Sequence, residues 1–179
     1  MTLRPPDTLS TIRLILRPLR LTDAAAVYAY ASDEETTRFL IFPRHRSIVD
    51  SEGFARRCAE CWQSGSAFPW AVTVRETGML IGVIELRLSP PRAEFGYVLR
   101  RAEWGQGYGG EMATAVVAWA LAQPEIHRVW TTVHPDNQRS QRVLEKAGLR
   151  FETRLALWEA RPNLGEAAGD ALVYALIKA

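Results

Sequence analysis

Along residues 12–19, IRLILRPL, apolar and basic side chains alternate as on a strand whose pairing ends at Pro18. Thr22 or Asp23 stands where a cap would start a helix through AAAVYAYAS. A second amphipathic helix is expected from Asp50 or Ser51, with Phe54, Cys58, Cys61 and Trp62 at helical spacing and Gly65 as its stop. Residues 69–89, PWAVTVRETGMLIGVIELRLS, form two β-rich runs joined by the turn Glu76-Thr77-Gly78. Pro90-Pro91 breaks the second run, and AEFGYVL at 93–99 makes a third strand. A glycine-rich stretch then leads into a long apolar helix from about Gly109 to Ala122. HRVWTTVH at 127–134 has the pattern of a buried strand, and Asn137 to Ala147 that of a short helix stopped by Gly148. RFETRLALWEA and DALVYALIKA close the chain as two strands.

The order β-α-α-β-β-β-α-β-α-β-β predicts an α+β fold. The crossover through the long helix favours one parallel strand pair in a mixed sheet. A doubly wound fold would need strands and helices to alternate throughout, and they do not. With 179 residues, no repeat and no linker, one domain spanning 1–179 is expected, its ordered core at about 12–178. The apolar fraction of 47% supports a real core and excludes a disordered chain.

Charge narrows the partners. Lys+Arg 22 against Asp+Glu 20 gives a net +2, which argues against a nucleic-acid footprint. The longest apolar run, MATAVVAWALA at 112–122, is too short for a membrane span, and no signal peptide is visible at the start. Two cysteines make no disulfide framework, so a cytoplasmic protein, monomer or homodimer, is expected. Cys58-Ala-Glu-Cys61 spells C-x-x-C without the second pair that four zinc ligands would need, so core thiols and no metal are expected.

The glycine-rich segment is WGQGYGGEMA at 104–113. Gly105, Gly107, Gly109 and Gly110 sit at a helix start, where the first amides have no internal acceptor and the helix dipole adds positive charge. That combination suits a pyrophosphate. Gly105-x-Gly107-x-x-Gly110 formally matches the dinucleotide fingerprint, but Arg100 to Trp104 intervene between strand and helix. The Gly-Lys-Ser/Thr of a P-loop is absent, since Glu111 follows the glycines.

Three blocks together resemble the GNAT superfamily of acyl-CoA N-acyltransferases, and most of all the branch that acetylates ribosomal-protein N-termini. They are AEFGYVLRRAEWGQGYGGEMATAVVAWA at 93–120, VHPDNQRSQRVLEKAGLRFE at 133–152 and IRLILRPLRLTDAAAVYAY at 12–30. The resemblance implies a single-domain fold with a mostly antiparallel mixed sheet of six to seven strands, flanked by about four helices and splayed at the CoA site. It also implies acetyl-CoA as co-substrate and a primary amine as acceptor, either a peptide N-terminus or a small amine. The family's loop pattern falls on Trp104, Gly107 and Gly109, with Trp104 where a basic residue is more usual. By resemblance the amides from Gln106 through Tyr108 to Gly110 hold the CoA pyrophosphate, and Val98 and Leu99 pair with the pantetheine amides. Asn137 then bonds the pantetheine arm and Ser140 lies near the sulfur. From the residues alone, Asn137 is equally an N-cap and Ser140 a surface hydroxyl.

Acyl transfer to an amine needs a base, an oxyanion site and a departing thiolate. Glu94, facing the same way as Gly96 and Val98, is the candidate base, with Glu85 second. A surface ion pair with Arg92 or with an arginine on a neighbouring strand is the alternative for Glu94. A Tyr general acid is common in the family, but none lies between Tyr108 and Tyr174, so Ser140 is the substitute the branch suggests. His134 reads as a turn residue or a ligand contact. The family shapes its acceptor pocket from the stretch holding Phe39, Phe42, Arg44, His45 and Arg46, which ordinary packing would also explain. The rival functions are a CoA-binding module without transfer and, on the glycine fingerprint, a dinucleotide-dependent oxidoreductase.

Overall fold

The computed structural model describes residues 3–178. Its sheet has eight strands: β1 (Leu9–Ser10), β2 (Leu14–Pro18), β3 (Phe68–Val74), β4 (Leu80–Ser89), β5 (Arg92–Leu99), β6 (Arg128–Val133), β7 (Arg150–Arg161) and β8 (Glu166–Ile177). The helices are α1 (Ala24–Ala31), α2 (Glu34–Thr37), α3 (Ile48–Ser64), α4 (Tyr108–Ala122) and α5 (Gln138–Lys146). The expected α+β fold is present, in the strand order β1-β2-β3-β4-β5-β6-β8-β7. Beyond the six to seven strands and four helices anticipated, there is a two-residue strand, β1, and a one-turn helix, α2. Both are too short for their periodicity to show in the sequence.

All strand pairs are antiparallel except β5 with β6, which the α4 crossover makes parallel. Strand alternation splits the core into two layers. Trp70, Val72, Ile84, Leu86 and Phe95 face α4 and α5, meeting Met112, Val116 and Leu144. Ala71, Val83 and Val98 face α1 and α3, meeting Val27, Tyr30, Ala55 and Cys58. Each large apolar side chain so buried contributes about 1.5–3 kcal/mol.

Two helix starts differ from expectation. Asp23 precedes α1, but its carboxylate turns back to accept from the Arg20 amide and to pair with Arg17 at 2.8 Å, leaving residues 21–23 as a 3-10 turn. The second helix, α3, begins at Ile48 behind Ser47; Asp50 lies three residues in and accepts from the Arg46 and Ser47 amides at 2.8 and 2.9 Å. A carboxylate one turn inside can cap by reaching back, which moves the boundary ahead of it. Gly65 ends α3 as expected, and Cys58 is a buried free thiol whose pKa burial pushes up to about 12. Cys61 is free and partly buried.

One side chain ties distant parts together. Asn163, in the turn after β7, accepts from the Arg44 amide at 2.8 Å and donates to the Thr37 and Phe42 carbonyls at 2.8 and 2.9 Å. The loop between α2 and α3 is thereby fixed against the β7–β8 hairpin. Asn163→Ala should cost about 1–3 kcal/mol, because the partner groups lose their bonds together. Thermal unfolding should show the loss, and faster amide exchange confined to residues 37–46 should show its location.

Candidate active site

The parallel ladder between β5 and β6 covers only Arg92–Glu94 against Arg128–Trp130. Past that point the two strands part, while β5 stays paired with β4 as far as Leu99 and β6 with β8 as far as Val133. A cavity of about 730 Å³ opens there. Its floor comes from β4 and β5 through Val83, Glu85, Arg87, Glu94, Gly96 and Val98. Thr131 to His134, Glu159 and Arg161 form a wall, and the loop from Phe39 to Arg46 with the first turns of α3 forms the roof.

Glu94, Val98, Asn137 and Ser140 all line this cavity, as do Glu85, His134, Phe39, Phe42, Arg44, His45 and Arg46. Burial pushes the Glu94 pKa up; Arg87 opposes the shift, and the charges of Glu159 and Glu85 add to it. Arg87 is shared between Glu85 at 2.5 Å and Glu94 at 3.4 Å. His134 is buried, stacks on Phe39 at 4.8 Å, and accepts the Asp136 amide at Nδ1, which leaves the proton on Nε2. His45 bonds Ser51 through Nδ1 at 2.8 Å, and burial lowers its pKa.

A hydroxyl pair escaped the sequence. Tyr97 Oη lies 2.9 Å from Ser140 Oγ, and both residues line the cavity. Burial pushes the Tyr97 pKa up to about 12, so the phenol stays protonated at neutral pH, and either hydroxyl of the pair can donate. A Tyr on β5 thus meets the Ser on α5 where a Tyr was sought after α4. The alternation of β5 carried the signal that Tyr97 and Glu94 lie on opposite faces, but not the gap that lets both reach one space.

Asn137 caps α5, its Oδ1 accepting from the Ser140 amide at 3.2 Å. Among the described residues its amide nitrogen makes no hydrogen bond, so that donor remains for a ligand. Leu99 faces the core, and its carbonyl accepts from Trp104 Nε1 at 2.8 Å. Arg139 covers the other side of that indole at 4.8 Å. Trp104 therefore seals the end of β5 and carries a cation on its ring instead of being one.

The glycine loop lies after β5 rather than on the cavity. Gly107 is the N-cap of α4 at φ 85°, a conformation that strains any residue with a Cβ. Gly109 faces α5 so closely that a Cβ would stand 3.0 Å from Val143. Tyr108, Gly109 and Gly110 begin the helix, so their amides have no intrahelical acceptor. Arg13 braces this turn, bonding the Gln106 carbonyl at 2.9 Å and Glu111 at 2.7 Å, with its guanidinium 4.5 Å from the Tyr108 ring centre. The Gln106 side chain is occupied locally, donating to Glu103 at 2.9 Å.

Over residues 13–150 the chain matches the family described as "Acetyltransferase (GNAT) domain". It is 32% identical over 147 residues to the uncharacterized N-acetyltransferase YoaA of Bacillus subtilis (strain 168), covering 80% of this chain and 83% of that one. Among solved structures, the microcin self-immunity acetyltransferase MccE in complex with acetyl-CoA and AMP has a TM-score of 0.85 at 18% identity, covering 97% of each chain. Mycobacterium smegmatis RimJ in complex with CoA-disulfide has a TM-score of 0.83 at 20% identity, covering 96% of this chain and 88% of that one. The chain therefore belongs to the GNAT family of acetyltransferases. No helix among the described residues is long and apolar enough to cross a membrane.

The raised pKa of Glu94 has a consequence for stability. A carboxyl whose ionised form the fold disfavours adds stability while protonated and loses it as pH rises through its folded pKa. Glu94→Gln should accordingly melt higher than the unaltered protein at pH 7–8, with the difference vanishing below about pH 4, near the unfolded Glu value. Melting temperatures across that range would check both the sign and the window.

Proposed function

We propose that the protein transfers the acetyl group of acetyl-CoA directly to a primary amine within a ternary complex. The parting of β5 from β6 carries this reading. It leaves a strand edge open next to a cavity holding a carboxyl group of raised pKa, and the chain runs from the end of that strand into a helix start rich in free amides. The CoA and acetyl-CoA complexes of two similar structures support the same ligand here.

In this reading the pyrophosphate rests on the amides from Gln106 to Gly110, with Gly105 and Gly107 shaping the loop. The pantetheine arm adds to the open edge at Val98 and Leu99 as an extended peptide would. The Asn137 amide nitrogen donates to it. Trp104 acts by holding the Leu99 carbonyl rather than by touching the ligand. Glu94 takes a proton from the ammonium of the acceptor, directly or through water. The amine nitrogen then bonds the thioester carbon, and as the tetrahedral intermediate collapses the C–S bond breaks and the nitrogen's second proton passes by way of the Ser140 hydroxyl to the sulfur, so that CoA leaves as the thiol. Tyr97 donates to Ser140, which turns the Ser140 proton toward the departing sulfur. The Tyr97–Ser140 pair supports transfer over a CoA-binding module, a rival that product formed with any amine would exclude.

CoA at a hundredfold excess over its dissociation constant should stabilise the protein by about 2.7 kcal/mol. Gly107→Val should abolish that melting shift while the apo protein stays folded. An unchanged shift in this variant would refute the loop as the pyrophosphate site, and a shift with NAD but not CoA would favour the oxidoreductase.

Single-turnover rates with acetyl-CoA and an accepted amine should separate the side chains. Glu94→Gln should slow the chemical step roughly 10²-fold at pH 7, with recovery as pH rises. Ser140→Ala should slow it about tenfold to a hundredfold, and Tyr97→Phe by less, both with CoA affinity kept. Asn137→Ala should instead weaken CoA binding, since its bond is made in the ground state. Poor CoA binding by Ser140→Ala with normal turnover at saturation would move Ser140 to the cofactor contacts.

A further inference from the structure

Arg161 is 2% exposed and lines the cavity wall at the end of β7. Its Nη1 lies 2.6 Å from Glu159 Oε2, a charge contact without hydrogen-bond alignment. Among the described residues, Nε and Nη1 have no hydrogen-bond partner. Glu159 is itself engaged, its Oε1 accepting from Thr132 at 2.7 Å. A buried guanidinium has five donors in a planar fork, and leaving them unpaired is costly. The oxygen pair of a carboxylate matches that fork.

The rest of the cavity is polarised around this group. On the floor one arginine, Arg87, is shared by two carboxylates, Glu85 and Glu94, so that end has an excess of negative charge and suits an ammonium. Glu159 stands between the two ends: it contacts Arg161, and its charge is felt at Glu94. A carboxylate-rich floor and a buried guanidinium thus border the same cavity. Above them the roof is carbon-rich, with Phe42 and Phe54 stacked at 6.2 Å and Phe39 over His134. Arg46 and Arg57 on the same lining make no ion pair among the described residues, which disfavours a polycation.

We propose that the acceptor is a free amino acid with an apolar or aromatic side chain. Arg161 binds its carboxylate, the amine points at Glu94, and the side chain lies under Phe39 and Phe42. This rests on the acetyl-transfer reading above and adds the substrate class. A peptide N-terminus has an amide where the carboxylate would be, and a polyamine has a further cation.

The test compares L-phenylalanine, L-phenylalaninamide, phenethylamine and spermidine as acceptors with acetyl-CoA. The unaltered protein should favour phenylalanine over its amide by about 10²-fold or more in kcat/KM, because the amide offers Arg161 no carboxylate to complete its hydrogen bonds. In Arg161→Gln that ratio should collapse toward unity through a higher KM for phenylalanine, and Arg161→Lys should restore only part of it. Calorimetric titration of phenylalanine and phenylalaninamide into the CoA-loaded protein reads the same ranking without turnover. A retained CoA melting shift shows that each variant is folded. The proposal is overturned if the amide or spermidine equals phenylalanine, if the preference survives Arg161→Gln, or if neither phenylalanine compound binds. Loss of the CoA shift in the unaltered protein would instead count against acetyl transfer itself.

Discussion

Two neighbouring parallel strands that pair for three residues and then separate impose most of what surrounds them. Each strand keeps its outer partner, so neither can close the gap without breaking another ladder. Backbone groups on the facing edges then need other partners, because buried amides and carbonyls are rarely left alone. The Leu99 carbonyl finds one in the Trp104 indole, which in turn fixes the loop before α4. Tyr97 reaches Ser140 through the same opening. The gap thus places the start of α5, a hydroxyl pair and an acidic floor around one volume, with no single segment of the chain containing them all.

Inside that volume charge is distributed unevenly. The floor groups Glu85 and Glu94 share Arg87, and burial disfavours the ionised form of Glu94. A base of raised pKa is a better proton acceptor from an ammonium than an ordinary surface carboxylate. The wall differs, with Arg161 buried and in close charge contact with Glu159 while its Nε and Nη1 lack aligned hydrogen-bond acceptors. Low dielectric makes both departures count for more than they would in water.

The sequence made the element order legible because most strands and helices here are long enough to show their period. Strand alternation put Glu94 and Val98 on one face, and helical spacing put Asn137 and Ser140 together. These four residues line one cavity. What stayed hidden depends on contacts between distant segments. Tyr97 and Ser140 are 43 residues apart, and Asn163 and Thr37 are 126 apart. Glu159 and Arg161 lie two apart on a strand, so their common face was readable, but nothing local shows which space that face meets. Trp104 departs from the family's basic residue, and its bond to the Leu99 carbonyl is not a contact the sequence could show.

The three bonds of Asn163 also set an order of assembly. The open strand edge, the glycine-rich helix start and α5 are all encoded before residue 148. On a ribosome they can be laid down while the turn after β7 is still in the exit tunnel. The roof over the cavity cannot be pinned until that turn emerges and reaches back across more than a hundred residues to the α2–α3 loop. A nascent chain would therefore complete the strand edge and the glycine-rich helix start first and remain open on the other side, so that the closed outline of the cavity is the last feature the growing chain acquires.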